Sequence, residues 1–155
     1  MRVEFTGKKL GFGLKRVVRR AFKKTLAELE QVKNLSICVN IVSPEEIQEI
    51  NKQTRNIDKV TDVLSFPSFE ISPFESVASK VTVNNSSHIF IGDMALCMEE
   101  VARQMDEYAE SQKRVLARLV IHSTLHMLGF DHIKDEDYAE MEPVQNKILD
   151  SVVKK

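Results

Sequence analysis

Residues 121 to 132 read Ile-His-Ser-Thr-Leu-His-Met-Leu-Gly-Phe-Asp-His and hold three of the four histidines of this 155-residue chain. Just ahead of them, Val115, Leu116, Leu119, Val120 and Ile121 make an almost unbroken apolar run. Such a run predicts a helix, and a helix apolar on most sides has to be buried. His122 and His126 stand four residues apart. Four helical residues climb about 6 Å with little net rotation, so both imidazoles leave one face of the helix and can converge on one ion. Gly129 is placed to end the helix in the left-handed region. The chain then turns back and can bring His132 to the same point.

Three neutral imidazoles with water at the fourth position are a standard open zinc set. The spacing H-x3-H-x2-G-x2-H is similar to the extended zinc motif of the metzincin proteases, whose general base is a Glu directly after the first histidine. That position here is Ser123. The metal scaffold is therefore expected, and the peptidase base is missing. Core or capping histidines are the bland alternative, disfavoured because an apolar helix has little reason to bury unpaired imidazoles. A closed structural zinc site would want a fourth protein ligand, and no cysteine lies nearby.

Outward from this stretch, 43% hydrophobic and 29% charged residues over 155 positions predict one globular domain, residues 1–155, with a sizeable core. Cys38 and Cys97 belong to no C-x-x-C and read as packing residues of a reducing compartment, the cytoplasm. No apolar run reaches membrane-spanning length and the first residues lack a signal-peptide pattern, so no membrane partner is expected. The net charge of −1 conceals an asymmetry: residues 1–34 hold ten Lys/Arg against three Asp/Glu, while the remainder hold twelve against twenty. One end of the chain suits a polyanion.

Alternating Val3 and Phe5 predict a strand over Arg2 to Thr6. A helix follows Gly13 and runs to about Glu30, with Leu14, Val18, Ala21, Phe22, Thr25 and Leu29 as its apolar stripe. Arg16, Arg19, Arg20 and Lys23 share the other side and are read either as solvated surface or as a phosphate-contacting face. Ile37, Val39 and Ile41 mark one face of a strand over Leu35 to Val42. Ser43-Pro44-Glu45-Glu46 opens a helix by a capping box and ends near Thr54. Thr61 to Phe66 reads as a strand stopped by Pro67, and residues 67 to 87 as a long, mobile loop. Ile89 to Leu96 is a further strand, in which Gly92 suggests a bulge or a close backbone approach. Helices are expected over Met98 to Tyr108, from a cap at Ser111 to Gly129, and from the acidic residues 135–142 through Ile148 and Leu149. About four strands interleaved with about five helices, including a hairpin-like pair, give an α+β fold.

At this point the motifs fit together. His122-Ser-Thr-Leu-His126-Met-Leu-Gly129-Phe-Asp131-His132 resembles the H-G-x-L-H-L-x-G-[YF]-D-H signature of the YbeY family. These are bacterial metal-dependent endoribonucleases that act on single-stranded RNA in ribosomal RNA maturation and ribosome quality control. Asn51-x3-Arg55 followed by Thr61-Asp62-Val63-Leu64-Ser65-Phe66-Pro67 resembles a second family signature, and Ile91-Gly92-Asp93 a third. Ser123 replaces the usual Gly, Phe130 stands where Tyr is common, and Thr54 stands where an aromatic commonly precedes the arginine. The resemblance implies a small mixed β-sheet packed with helices and a zinc-hydrolase-like cleft. It also implies His122, His126 and His132 as metal ligands and Arg55 as a residue important for RNA cleavage; with the three-imidazole set, one zinc ion per chain is expected.

The chemistry is coherent with that. Zinc lowers the pKa of a bound water toward about 7 and polarises a phosphoryl oxygen. A guanidinium can take, two-pronged, the negative charge that a phosphodiester transition state gathers, and Arg55 is the candidate. Its other reading is a cation complementing a helix C-terminus. Asp131 joins Arg55 and His122 among the catalytic candidates, as a general base or as a hydrogen-bonding support for a histidine ligand, the commoner role. Asp93 invites the same pair of readings or merely ends a strand. His88 reads as a strand-edge residue. The implied partners are single-stranded RNA, above all ribosomal RNA precursors, and ribosome-associated proteins. Two other classes remain open: a zinc peptidase, disfavoured by Ser123, and a non-catalytic ribosome-assembly factor with a structural metal.

Overall fold

The computed structural model describes residues 1–80, 88–130 and 135–153. Along these run β1 (Arg2–Gly7), α1 (Phe12–Glu28), β2 (Leu35–Val42), α2 (Pro44–Arg55), β3 (Val63–Pro67), β4 (Ile89–Cys97), α3 (Met98–Tyr108), α4 (Gln112–Met127) and α5 (Asp135–Val152). The sheet order is β1-β2-β4-β3, with β2 parallel to both neighbours and β3 antiparallel to β4. The fold is thus α+β with a four-stranded mixed sheet, as the interleaving of elements predicts.

The pattern of side chains explains the layers. Ile37, Val39 and Ile41 on β2 join Ile91, Met94 and Leu96 on β4 in a core shared with α1, α4 and α5. Among the described residues, the opposite face of the sheet is covered at one end, where Val42, Leu64, Ala95 and Cys97 meet Ile47 of α2. α4 is central: ten of its 16 residues are buried, on nearly every side, which is what its apolar run requires. It packs against α1, α3, α5 and β3.

Local chemistry sets the boundaries. Ser43 and Glu46 cap α2 reciprocally, at 3.2 and 2.7 Å, with Pro44 in the first turn. α1 begins one residue before Gly13, at Phe12, with Gly11 as its extended N-cap. β3 starts at Val63 rather than Thr61, because the Asp62 carboxylate accepts the Val63 N–H at 2.7 Å. Gly92 fulfils both sequence expectations. The β2–β4 register shifts beside it, and its φ of 151° goes with a close approach of the Phe66 carbonyl that a Cβ would block.

The loop after β3 differs from its composition. As far as Lys80 it is tied down: Val77 is fully buried, and the Gln31 side chain donates to Glu75 O at 2.8 Å and accepts from Val77 N at 2.9 Å. A single 3-10 turn, Val77–Ser79, follows, and the Glu75 carboxyl is held below the usual carboxylate range by the Ser72 backbone N–H and the Ser79 hydroxyl. The rest of the expected loop, 81–87, lies outside the described residues. No helix among the described residues is long and apolar enough to cross a membrane.

Candidate metal centre and cleft

A cleft of about 950 Å³ lies where the end of α2, its following loop and β3 meet α4. His122 and His126 line it, as does Arg55. α4 brings the two imidazoles together: their Nε2 atoms are 3.0 Å apart and the rings stand nearly perpendicular, at 79°.

Each ring is held from behind. His126 Nδ1 donates to the Phe130 carbonyl at 2.8 Å, and His122 Nδ1 faces Gln145 Oε1 at 3.0 Å. A carbonyl oxygen only accepts, so each ring directs an Nδ1 hydrogen to its carbonyl partner, an arrangement that leaves Nε2 as the atom a metal ion would use. The two Nε2 atoms converge on one point, as two ligands of a single ion must. Zinc–nitrogen bonds of about 2.0–2.1 Å give a tetrahedron edges of about 3.3–3.4 Å, close to the separation found. The donor set therefore fits a zinc-sized ion.

The helix stop contributes directly. Gly129 N donates to His126 O and Phe130 N to Leu125 O, at 3.1 and 3.0 Å, the double closure of a Schellman motif. Gly129 has φ 92°, and the Ile71 carbonyl occupies the space its Cβ would need. This turn aims the Phe130 carbonyl back at His126, so the glycine that ends the helix also orients a ligand.

Arg55 ends α2 and donates from Nη2 to the Ser65 carbonyl at 3.0 Å. One of its five N–H groups thereby fixes the guanidinium at the edge of the cleft. Both readings of Arg55, helix-end cation and cleft residue, hold geometrically. The loop beyond it is stapled by Asn51, whose side chain donates to Lys59 O at 2.9 Å, and by Asp58. The Gln48 amide and the Lys52 ammonium hold the Asp58 carboxyl below the usual carboxylate range. Thr54 turns its hydroxyl back onto Ile50 O, at 2.7 Å.

Not every candidate reaches the site. Asp93 is exposed on the sheet face away from α4 and does not line the cleft, so neither a catalytic nor a ligand-supporting role fits it; nor does it end its strand. His88 sits ahead of β4, its Nε2 3.5 Å from the Met1 amino group, away from the cleft. His132 and Asp131 lie outside the described residues, and among the described residues no three His, Cys, Asp or Glu side chains cluster for a metal.

The motifs do not include Gln145, Tyr108, Gln104 or Arg118. Arg118 had a signal: it stands four residues before His122 and eight before His126, on the same helical face. Gln145 had none, because α5 delivers it from elsewhere in the chain.

Comparison with known proteins gives a consistent set. The family described as Endoribonuclease YbeY matches residues 3–153. A Lachnospira eligens protein named Endoribonuclease YbeY is 40% identical over 122 residues, 72% of this chain and 72% of that protein. One of the same name from Caldanaerobacter subterraneus subsp. tengcongensis is 38% identical over 139 residues, 89% of this chain and 87% of its own. The solution structure of a Thermotoga maritima protein superposes with a TM-score of 0.64 at 25% identity, covering 97% of this chain and 88% of that one.

Proposed function

The chain belongs to the endoribonuclease YbeY family, and we propose that it is a zinc-dependent endoribonuclease that hydrolyses phosphodiester bonds of single-stranded RNA. Its setting in this reading is the cytoplasm. Its work is ribosomal RNA maturation and ribosome quality control, with precursor RNA as substrate and ribosome-associated proteins as partners. The observation that carries the reading is the pair of Nε2 atoms 3.0 Å apart in a cleft that Arg55 shares.

His122, His126 and His132 would hold one zinc ion, with Asp131 supporting a histidine by a hydrogen bond. Such an ion, when bound, lowers the pKa of water toward about 7 and polarises a phosphoryl oxygen. The remaining work falls to the chain. Gln145 and the Phe130 carbonyl fix the tautomer of the two described ligands. Arg55, braced on Ser65, offers its guanidinium to the phosphate, where a two-pronged contact strengthens as negative charge develops.

The test is a substrate panel: single-stranded RNA, duplex RNA and casein, each with and without chelator. Cleavage of single-stranded RNA alone, abolished by chelator and restored by zinc, is expected. Cleavage of casein with RNA left intact would make the protein a peptidase instead. Tight RNA binding without cleavage of anything would make it an assembly factor with a structural metal.

A further inference from the structure

We propose that Tyr108 and Arg118 form a base-stacking subsite at the edge of the cleft, taking an unpaired nucleobase beside the cleaved phosphate and favouring single-stranded RNA. This rests on the ribonuclease reading above and assigns to it a pair of residues outside the sequence motifs.

Tyr108 is the last residue of α3, lines the cleft, and leaves 53% of its surface in water. Its ring is not loose. The Arg118 guanidinium lies over one face, its central carbon 5.1 Å from the ring centroid. Arg118 is held in turn: Nη1 pairs with Glu110 Oε2 at 2.8 Å and Nη2 donates to Gln104 Oε1 at 3.3 Å. Gln104 is anchored by donating to Asp62 Oδ2 at 2.6 Å. A ring set in place by this chain of contacts loses little freedom when a ligand arrives, so more of the contact energy appears as affinity.

The charge arrangement decides what the subsite takes. Arg118 is already engaged by Glu110, a carboxylate it shares with Arg114, and by Gln104, which makes it a poor bare-phosphate clamp. A guanidinium held over an aromatic ring instead offers, with that ring, a polarisable surface suited to a base. Position supports the same assignment. Arg118 precedes His122 by one helical turn, about 6 Å along α4. A base resting on Tyr108 is thus near the imidazole pair, as a nucleotide flanking the scissile phosphate must be. A duplex hides the faces of its bases within its own stack, so only unpaired RNA can use the platform.

The experiment mixes zinc-loaded full-length protein with short single-stranded RNAs carrying 2-aminopurine at successive positions. Stopped-flow fluorescence reads binding before cleavage. Quenching at one position is expected. Tyr108→Ala should abolish that quench and weaken binding by about 5- to 100-fold, while Tyr108→Phe should keep both. Duplex affinity should be the same in all three proteins. Because Tyr108 is exposed at a helix end, the alanine variant should fold, and circular dichroism checks that it does. If the parent binds and cleaves single-stranded RNA but folded Tyr108→Ala binds it equally well with the same quench, the subsite is wrong and the ribonuclease reading stands. A parent that neither binds nor cleaves single-stranded RNA overturns both.

Discussion

The Ser65 hydroxyl donates to the Ser123 hydroxyl across 2.8 Å, inside the contact between β3 and α4. Ser123 follows the first metal-ligand candidate and is fully buried. The Ser65 carbonyl takes the Arg55 guanidinium at 3.0 Å. One strand residue thus ties the phosphate-binding candidate to the helix that carries both described imidazoles. The same contact explains why a zinc-protease spacing can exist here without a protease base: position 123 points into the sheet.

Ser65→Ala should therefore destabilise the fold by about 1–3 kcal/mol, since it leaves the buried Ser123 hydroxyl without this partner. Ser65→Ala with Ser123→Ala should cost less than the two single changes added together. Ser123→Glu should lower stability severely and create no peptidase activity, because it buries a carboxylate beside β3. Denaturant titration of the four variants measures the stabilities, and a casein assay checks the last point.

Gln145 lies far from every motif, yet its side chain orients His122. Gln145→Ala should keep the fold and weaken zinc binding by about 10- to 100-fold, the usual cost of removing a group that braces a metal-bound histidine. Competition with a fluorescent chelator reads this without relying on activity.

Much of this architecture is legible from residue patterns, and the exceptions have physical causes. Ile37, Val39 and Ile41 announce a strand face, the Ser43–Glu46 capping box announces a helix start, and Gly129 announces a helix stop, because each depends on neighbours within a few residues. The identity of Asp93 does not tell which sheet face carries it; its pairing with Cys38 and Phe66 in mid-strand and its exposure place it away from α4. The segment after Pro67 has the composition of a mobile loop, but Val77 is anchored by Gln31, 46 residues earlier. Tyr108 reaches the cleft, and Gln145 reaches the back of His122, by tertiary packing, which no local period records.

The basic face of α1 offers a separate test. Arg16, Arg19 and Lys23 are exposed, and Arg19 lies over the Phe5 ring at 5.0 Å. Among the described residues no carboxylate comes within 4.0 Å of these three. Arg20 is different: it donates to Ser151 O at 3.2 Å and so helps hold the end of α5. Reversing the charge of Arg16, Arg19 and Lys23 together, sparing Arg20, should weaken RNA binding and flatten its logarithmic salt slope by about 2, at roughly 0.7 per lost phosphate contact. Zinc content should not change. An unaltered slope would return this face to ordinary solvated surface.

Arg55→Ala should slow single-turnover cleavage by about 100- to 1,000-fold, the usual loss for a group that stabilises charge appearing only in the transition state. Arg55→Lys should recover part of that, since a point charge lacks the two-pronged geometry. If Arg55 serves only the end of α2, the alanine variant loses less than about 1 kcal/mol of stability and cleaves at the parent rate.

The central claim is that one zinc ion, held by His122, His126 and His132, is required for cleavage of single-stranded RNA. Its most direct test is to strip the protein of metal, titrate zinc back, and follow single-turnover cleavage with metal analysis of the same samples. Activity should rise linearly and level off at about one equivalent per chain, the capacity of one three-histidine site. His126→Ala should neither retain zinc nor recover activity, two imidazoles being a poor site. Full cleavage by metal-free protein, or by a His126→Ala protein holding no zinc, would contradict the account.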